Sequence, residues 1–445
     1  MKKYIPYTYH QIDENDIAAV VETLRGGFLT TGPKIAEFEG ALKEVVGAKY
    51  VTAVSSGTAA LHAACFAAGI TQGDEVITSA MTFAASSNCI LYMGGTPVFC
   101  DICPDSWNID PEKIEQLITP KTKAIIPVHY TGQPCDMGRI NDIAKRHGLI
   151  VIEDAAHALG ASLHGSPVGC LGDMAAFSFH PAKHITTGEG GAVATSSEKY
   201  YTALTSFRTH CITRDAKIFE RLGEAATAGV DGGNPAPWYY EQLHLGYNYR
   251  LTDVQAALGL SQLRKLSAFI SRRRDIVRMY DDAFQPLCQE GLMVLPKQIV
   301  GAASSWHIYV VRLTRQKGGS PTSCTQAPGE LLACHEEKRE SSPCFTSEAR
   351  ELFACFEPSP CFEPSACFNR NRVFGSLTSM GLGVNVHYIP VYLHPYYQKL
   401  GYKAGLCPVA EELYSSNITL PLYPSMTDDD VRYVIDSVKW VIYDR

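Results

Sequence analysis

The sequence predicts an α/β fold with a large, mostly parallel sheet sandwiched by helices and a smaller α+β part behind it. Three observations carry this. Short apolar runs alternate with helical stretches along the first half of the 445 residues. Many of those runs are apolar at consecutive positions and rich in Val and Ile, which suits strands buried on both faces. After about residue 250 the texture changes to one long helical pattern followed by mixed elements. A repeated strand–helix order gives parallel strands with right-handed crossovers.

In chain order, "AKYVTAV" reads as the first strand and "TAALHAACFAAG" as the helix behind it. "EVITSA", "TPVFCDI", "KAIIPVH" and "LIVIEDAA" follow as further strands, with helical or polar segments between most of them. "AAFSFHP" and "GGAVATS" add two more, joined by a loop that carries Lys183. The stretch "NYRLTDVQAALGLSQLRKLSAFISRRRDIVRMYDDAF" reads as one long helix, with Val254, Ala257, Leu258 and Leu263 near helical spacing. It would link a first part, residues 1–250, to a second, 251–445. In the second, "SWHIYVVRLT" and "VNVHYIP" read as strands, and "RNRVFGSLTSMG" and "DDDVRYVIDSVKWVIYDR" as helices. Residues 316–369 fit neither part. They are rich in Cys, Pro, Ser and Glu, carry the tandem "CFEPSPCFEPSACF", and are expected to be a disordered surface insertion. A metal or redox module is the alternative, but the segment has no CxxC pair.

Composition excludes several classes. The chain is 46% apolar and 19% charged, with net charge −7, an ordinary soluble balance with ample core material. Mild acidity gives no basic patch for nucleic acid. No apolar run approaches the roughly 20 residues that cross a bilayer. "MKKYIPYTYHQIDENDI" has two lysines but no apolar core behind them, so a cytoplasmic protein is expected rather than a secreted one. The 15 cysteines lack metal spacing and are expected to be mostly reduced thiols. No metal site is expected.

Three local features converge on one chemistry. "SSGTAALH", residues 55–62, closes a strand and opens a helix, so free backbone N–H groups and the Thr58 hydroxyl make an anion site. A plain helix cap reads equally well from this stretch alone. Asp154 ends the very apolar "LIVIED", where a carboxylate needs a cation or donors; a capping Asp is the plainer reading. His157 follows in the same loop. Lys183 lies between two strands, near Ser178 and the glycines at 188, 190 and 191. A solvated loop lysine is the usual alternative. Burial would instead lower its pKa and make it nucleophilic. An anion cradle, an acid for a ring nitrogen and an amine nucleophile are together what pyridoxal phosphate demands.

At these residues the chain resembles the DegT/DnrJ/EryC/StrS sugar aminotransferases, within the fold type I pyridoxal-phosphate enzymes. The resemblance runs through "GGFLTTGPKIAEFE", "SSGTAALH", "TFAASSN", "PVHYTGQPCDM", "EDAAHALGA", "FSFHPAKHITTGEGGAV", "LGYNYRLTDVQAALGL", "GVNVHYIPVYLHPYY" and "ITLPLYPS", nearly everything outside 316–369. It implies that Lys183 holds the cofactor covalently and moves protons, and that Asp154 pairs with the ring nitrogen. It places His157 against the cofactor, Phe83 on the ring face, and Gly57, Thr58 and Ser178 on the phosphate. Asn248 would reach that phosphate from the second subunit of a homodimer. His387, Tyr388 and Arg214 would face the substrate. The motifs look most like the branch that aminates UDP-linked 4-keto-6-deoxy-N-acetylhexosamines with glutamate as donor, on the route to pseudaminic acid. A dTDP-linked 3- or 4-keto sugar and a non-catalytic cofactor-binding relative are the alternatives. A dehydratase of this fold carries His at the lysine position, and Lys183 counts against it. Cys211 stands where relatives usually have Gly, so a turn with positive φ would strain it.

Overall fold

The structure is a computed structural model and describes residues 4–221, 236–314 and 370–443. The segment 316–369, expected as an insertion, lies outside the described residues.

The first six predicted runs and the one after them form a single seven-stranded sheet. Its strands are β1 (Tyr50–Val54), β2 (Glu75–Ser79), β3 (Thr96–Cys100), β4 (Thr122–Ile126) and β5 (Ile150–Asp154). A short hairpin, β6 (Ser162–Leu163) and β7 (Ser166–Pro167), precedes β8 (Met174–Ser178) and β9 (Gly191–Thr195). The order is β1-β9-β8-β5-β4-β2-β3. The pairs from β8 through β3 are parallel, while β9 runs antiparallel to both β1 and β8. Alternate residues enter opposite cores, as a strand's two-residue period requires. Ala175 and Phe177 of β8 pack on one face with Phe38, Leu42 and Leu263. Met174 and Ala176 pack on the other with Leu61, Ala64 and Ile90.

The helix α3 (Gly57–Ala67), third after α1 (Glu14–Arg25) and α2 (Pro33–Val46), explains how the site begins. Five alanines among its eleven residues favour the helix. Ser56 caps it, accepting the amide of Ala59 at 3.0 Å. Its face toward β8 is so close that a Cβ on Gly57 would lie 2.7 Å from that of Ser178.

The stretch read as one long helix is two, Asp253–Leu263 and Leu266–Gln289. Arg264 and Lys265 keep right-handed helical dihedrals at the break, so the apolar period passes through it unmarked. Lys265 there ties down the start of α1 through Asp13, at 2.9 Å, and Asp16, at 2.5 Å. The stretch "VNVHYIP" is not a strand either; it makes one isolated bridge, Asn385 to Thr419. Side chains take its backbone instead: the carbonyl of His387 accepts from the Tyr130 hydroxyl and, at 3.0 Å, from the Asn417 amide. The expected strand near residue 309 is present as Tyr309–Leu313, paired with Met293–Val294 and Asn417–Leu420. It shares an apolar core with the helices Leu266–Gln289, Arg370–Ser379 and Asp428–Tyr443, and with Ile5 near the start of the chain.

Cys211 is buried and has φ 52, the left-handed region that a glycine would enter without strain. The nine cysteines among the described residues are free thiols. No helix among those residues is long and apolar enough to cross a membrane.

Candidate active site

A cavity of about 750 Å³ opens at the carboxyl ends of β1, β5 and β8. That is where open α/β sheets place ligands, because helix starts and loops gather there. Nine of the residues singled out from sequence line it. They are Gly57, Thr58, Phe83, Asp154, His157, Ser178, Lys183, His387 and Tyr388. Two do not line it. Arg214 lies with its guanidinium 5.9 Å from the ring centre of Tyr240. Asn248 bridges to Thr209.

The end at α3 is an anion cradle. The first amides of a helix have no partner within it, and the helix dipole adds positive character. Glycine at 57 is obligatory in this packing, because any side chain would collide with Ser178. The contact brings the Ser178 hydroxyl beside those amides.

Asp154 ends β5 and is buried. Burial pushes its carboxyl up, and donors offset that only in part. Ser86 donates to Oδ2 at 2.5 Å and the amide of Ala156 to Oδ1 at 3.2 Å. A cation brought into the cavity would add the charge that these neutral donors lack.

Lys183 follows β8 in the loop that returns to β9. Burial lowers its amine from the usual 10.5 to about 8, and Asp154 opposes that only in part. Its Nζ is 3.4 Å from Nε2 of His307, a residue that also lines the cavity. His157 bonds the Tyr388 hydroxyl through Nε2 at 3.0 Å, and its ring centre is 4.4 Å from that of His307. Burial holds His157 and His307 well below the usual imidazole range, with the Lys183 charge adding to it.

Sequence reasoning missed His307, Ser86 and Tyr7, which bear on or line the cavity. Ser86 was visible within "TFAASSN", but nothing local marks it as the donor to a residue 68 positions away. His307 stood inside a predicted strand, where an apolar-flanked histidine carries no chemical signal.

These residues fit pyridoxal phosphate. The cradle takes a phosphate without cationic side chains, and the buried carboxyl suits a protonated ring nitrogen. The amine, lowered to about 8, is half neutral near pH 8. The exposed ring of Phe83 offers a flat apolar face.

Comparison with known proteins agrees with this geometry. The DegT/DnrJ/EryC1/StrS aminotransferase family matches residues 10–327 and 337–439. The spore coat polysaccharide biosynthesis protein SpsC of Bacillus subtilis is 37% identical over 440 residues, spanning 99% of this chain and 97% of SpsC. Among solved structures, PseC of Helicobacter pylori, an aminotransferase involved in the biosynthesis of pseudoaminic acid, superposes with TM-score 0.79. It is 27% identical, with both chains covered in full. Spr1654 of Streptococcus pneumoniae, assigned as a sugar aminotransferase and solved in its PLP form, gives TM-score 0.79 at 29% identity, with 99% of each chain covered. The chain belongs to the DegT/DnrJ/EryC1/StrS aminotransferase family, whose members are pyridoxal-phosphate-dependent sugar aminotransferases.

Proposed function

We propose that this chain transfers the amino group of L-glutamate to the C4 carbonyl of a UDP-linked 4-keto-6-deoxy-N-acetylhexosamine, for pseudaminic acid or a related cell-surface sugar. One observation carries the reading: the low-titrating Lys183 amine and the buried Asp154 carboxyl line one cavity closed by the helix-start cradle. The likeness to PseC and to SpsC supports a sugar nucleotide destined for the cell surface.

Pyridoxal phosphate, when bound, supplies a carbonyl that condenses with amines and a ring that accepts the electrons of a carbanion. The chain's own residues do the rest. The start of α3, with Thr58 and Ser178, binds the phosphate. Asp154 holds positive charge on a nitrogen set against it. Phe83 fixes the plane of the ring. Lys183, partly neutral near pH 8, takes a proton from the α-carbon of glutamate and in the return half delivers one to C4 of the sugar. His387 and Tyr388 present hydrogen-bonding groups on the side where the sugar enters. Among the described lining residues Lys183 is the one lysine or arginine, so the diphosphate needs cationic or amide groups from elsewhere. In our reading a second subunit supplies them, with Asn248 on the cofactor phosphate, and the working form is a homodimer.

The test supplies UDP-linked and dTDP-linked 4-keto and 3-keto sugars in parallel with glutamate, and identifies products by mass and NMR. Amination of the UDP-linked 4-keto sugar is expected. Preference for a dTDP-linked 3-keto sugar, or loss of water without amine transfer, would overturn the substrate.

A further inference from the structure

We propose that His307 is a positioning residue that donates its Nε2–H to the neutral amine of Lys183, and so fixes where that amine waits for the cofactor. The inference rests on the reading of Lys183 given above.

The tautomer follows from accounting for the ring nitrogens. His307 is buried, and its Nδ1 has no hydrogen-bond partner among the described residues. Its Nε2 faces Lys183 Nζ at 3.4 Å. A proton on Nδ1 would be a buried donor with no acceptor, a costlier defect than an unpaired lone pair. Once the amine is neutral, the proton therefore belongs on Nε2, where the amine lone pair can accept it. His184, next along the chain from Lys183, shows the same pattern. Its Nε2 is 3.1 Å from the carbonyl of Ser305 and must carry the hydrogen, and its Nδ1 is likewise unpartnered.

The backbone leaves His307 little choice of position. Its amide donates to the carbonyl of Thr131 at 2.8 Å. The preceding Trp306 is held at φ 51, an unfavourable region for a bulky side chain. Arg273, itself buried, donates from Nη1 to the carbonyls of Trp306, His307 and Leu422, at 3.2, 3.0 and 3.0 Å. Strain and three charge-assisted bonds are thus spent on a segment whose outcome is one imidazole beside one amine.

The experiment follows covalent capture of pyridoxal phosphate by the apoprotein, through its visible absorbance. It compares the natural chain, His307→Leu, Lys183→Ala and the double variant. Thermal melting of each apoprotein checks the fold. His307→Leu should slow capture about five- to tenfold, the weight of one hydrogen bond. In the Lys183→Ala background the same change should leave non-covalent cofactor affinity unaltered, because the imidazole acts through the amine. His307→Gln, whose amide can donate from a similar place, should recover most of the rate. Unchanged capture in His307→Leu would overturn the proposal. So would an equal loss of affinity with and without Lys183, which marks a merely structural wall. Should His307→Leu fail to fold, His307→Gln decides alone: capture near the natural rate supports the proposal, and a loss of fivefold or more sinks it. A natural chain that captures no cofactor at all would defeat the proposed function, and this inference with it.

Discussion

The two walls of the cavity are built on opposite principles. One is the end of the large sheet, where Gly57 and Thr58 start the helix after β1 and Asp154 and Ser178 end β5 and β8. The other is made of the segments 304–307 and 385–389, which have no regular structure beyond isolated bridges and pairings. The first wall positions its chemistry by backbone geometry, since a helix start points its amides by construction. The second is held by side chains acting on backbone. Arg273 gathers three carbonyls, Tyr130 and Asn417 hold that of His387, and the Thr419 hydroxyl meets His387 Nδ1 at 2.8 Å. A regular element makes a wall cheaply and in one fixed shape. An irregular one needs a buried keystone, but it can present histidine and tyrosine side chains at angles that no strand allows.

The comparison assigns the reaction itself to the first wall, and mutations there should be the most damaging. Lys183→Ala should reduce transamination by about 10⁴-fold or more, because nucleophile and proton carrier go together. Steady-state turnover with glutamate measures it, and near-normal rates would place the reaction elsewhere. Asp154→Asn should retain cofactor yet lose about two to four decades of turnover, the range seen when a key acid–base or electrostatic group is removed. Full activity would show that another group charges the ring.

The second wall should respond in stability and substrate affinity instead. Arg273→Met leaves three carbonyls without their donor and should lower the unfolding free energy by about 3 kcal/mol. Urea titration reads this, and a loss below about 1 kcal/mol would mean that the segment holds itself. Tyr388→Phe removes only the hydroxyl bonded to His157. It should raise the KM for the sugar about three- to tenfold with little change for glutamate. Equal shifts for both substrates would make Tyr388 part of the cofactor wall.

The same contrast explains what could be read in advance. The first wall was legible because its signals are local. A glycine and a hydroxyl follow a strand, a carboxylate ends an apolar run, and a lysine sits in a glycine-rich turn. The sheet was legible for the same reason, as was the strain at Cys211, whose φ of 52 follows from standing in a glycine's place. The second wall was not legible, because its fixing contacts join residues far apart in sequence, such as Tyr130 with His387 and Arg273 with Leu422. "VNVHYIP" alternates like a strand and lost that pairing to two side chains. The break at Arg264–Lys265 was hidden by helical dihedrals on both residues.

The imidazoles buried around the cavity make the folded chain sensitive to acid. His157, His184 and His307 are held well below the usual range by burial, His387 is lowered to about 3, and His62 within α3 to about 4. The unfolded chain binds protons on these rings near pH 6.5, and the folded chain does not. Their contribution to stability is therefore whole above about pH 6.5 and drains away as the pH falls toward the folded values. Apoprotein melting temperature should stay level from pH 8 to 7 and drop steeply below about pH 6, most of all for the second wall, where four of these rings, His157, His184, His307 and His387, lie in or bond to the chain segments that no sheet supports. A flat profile down to pH 5 would mean that water reaches these rings. Mild acid thus becomes a selective solvent for this molecule, one that loosens the irregular wall of the cavity while the wall at the sheet end still stands.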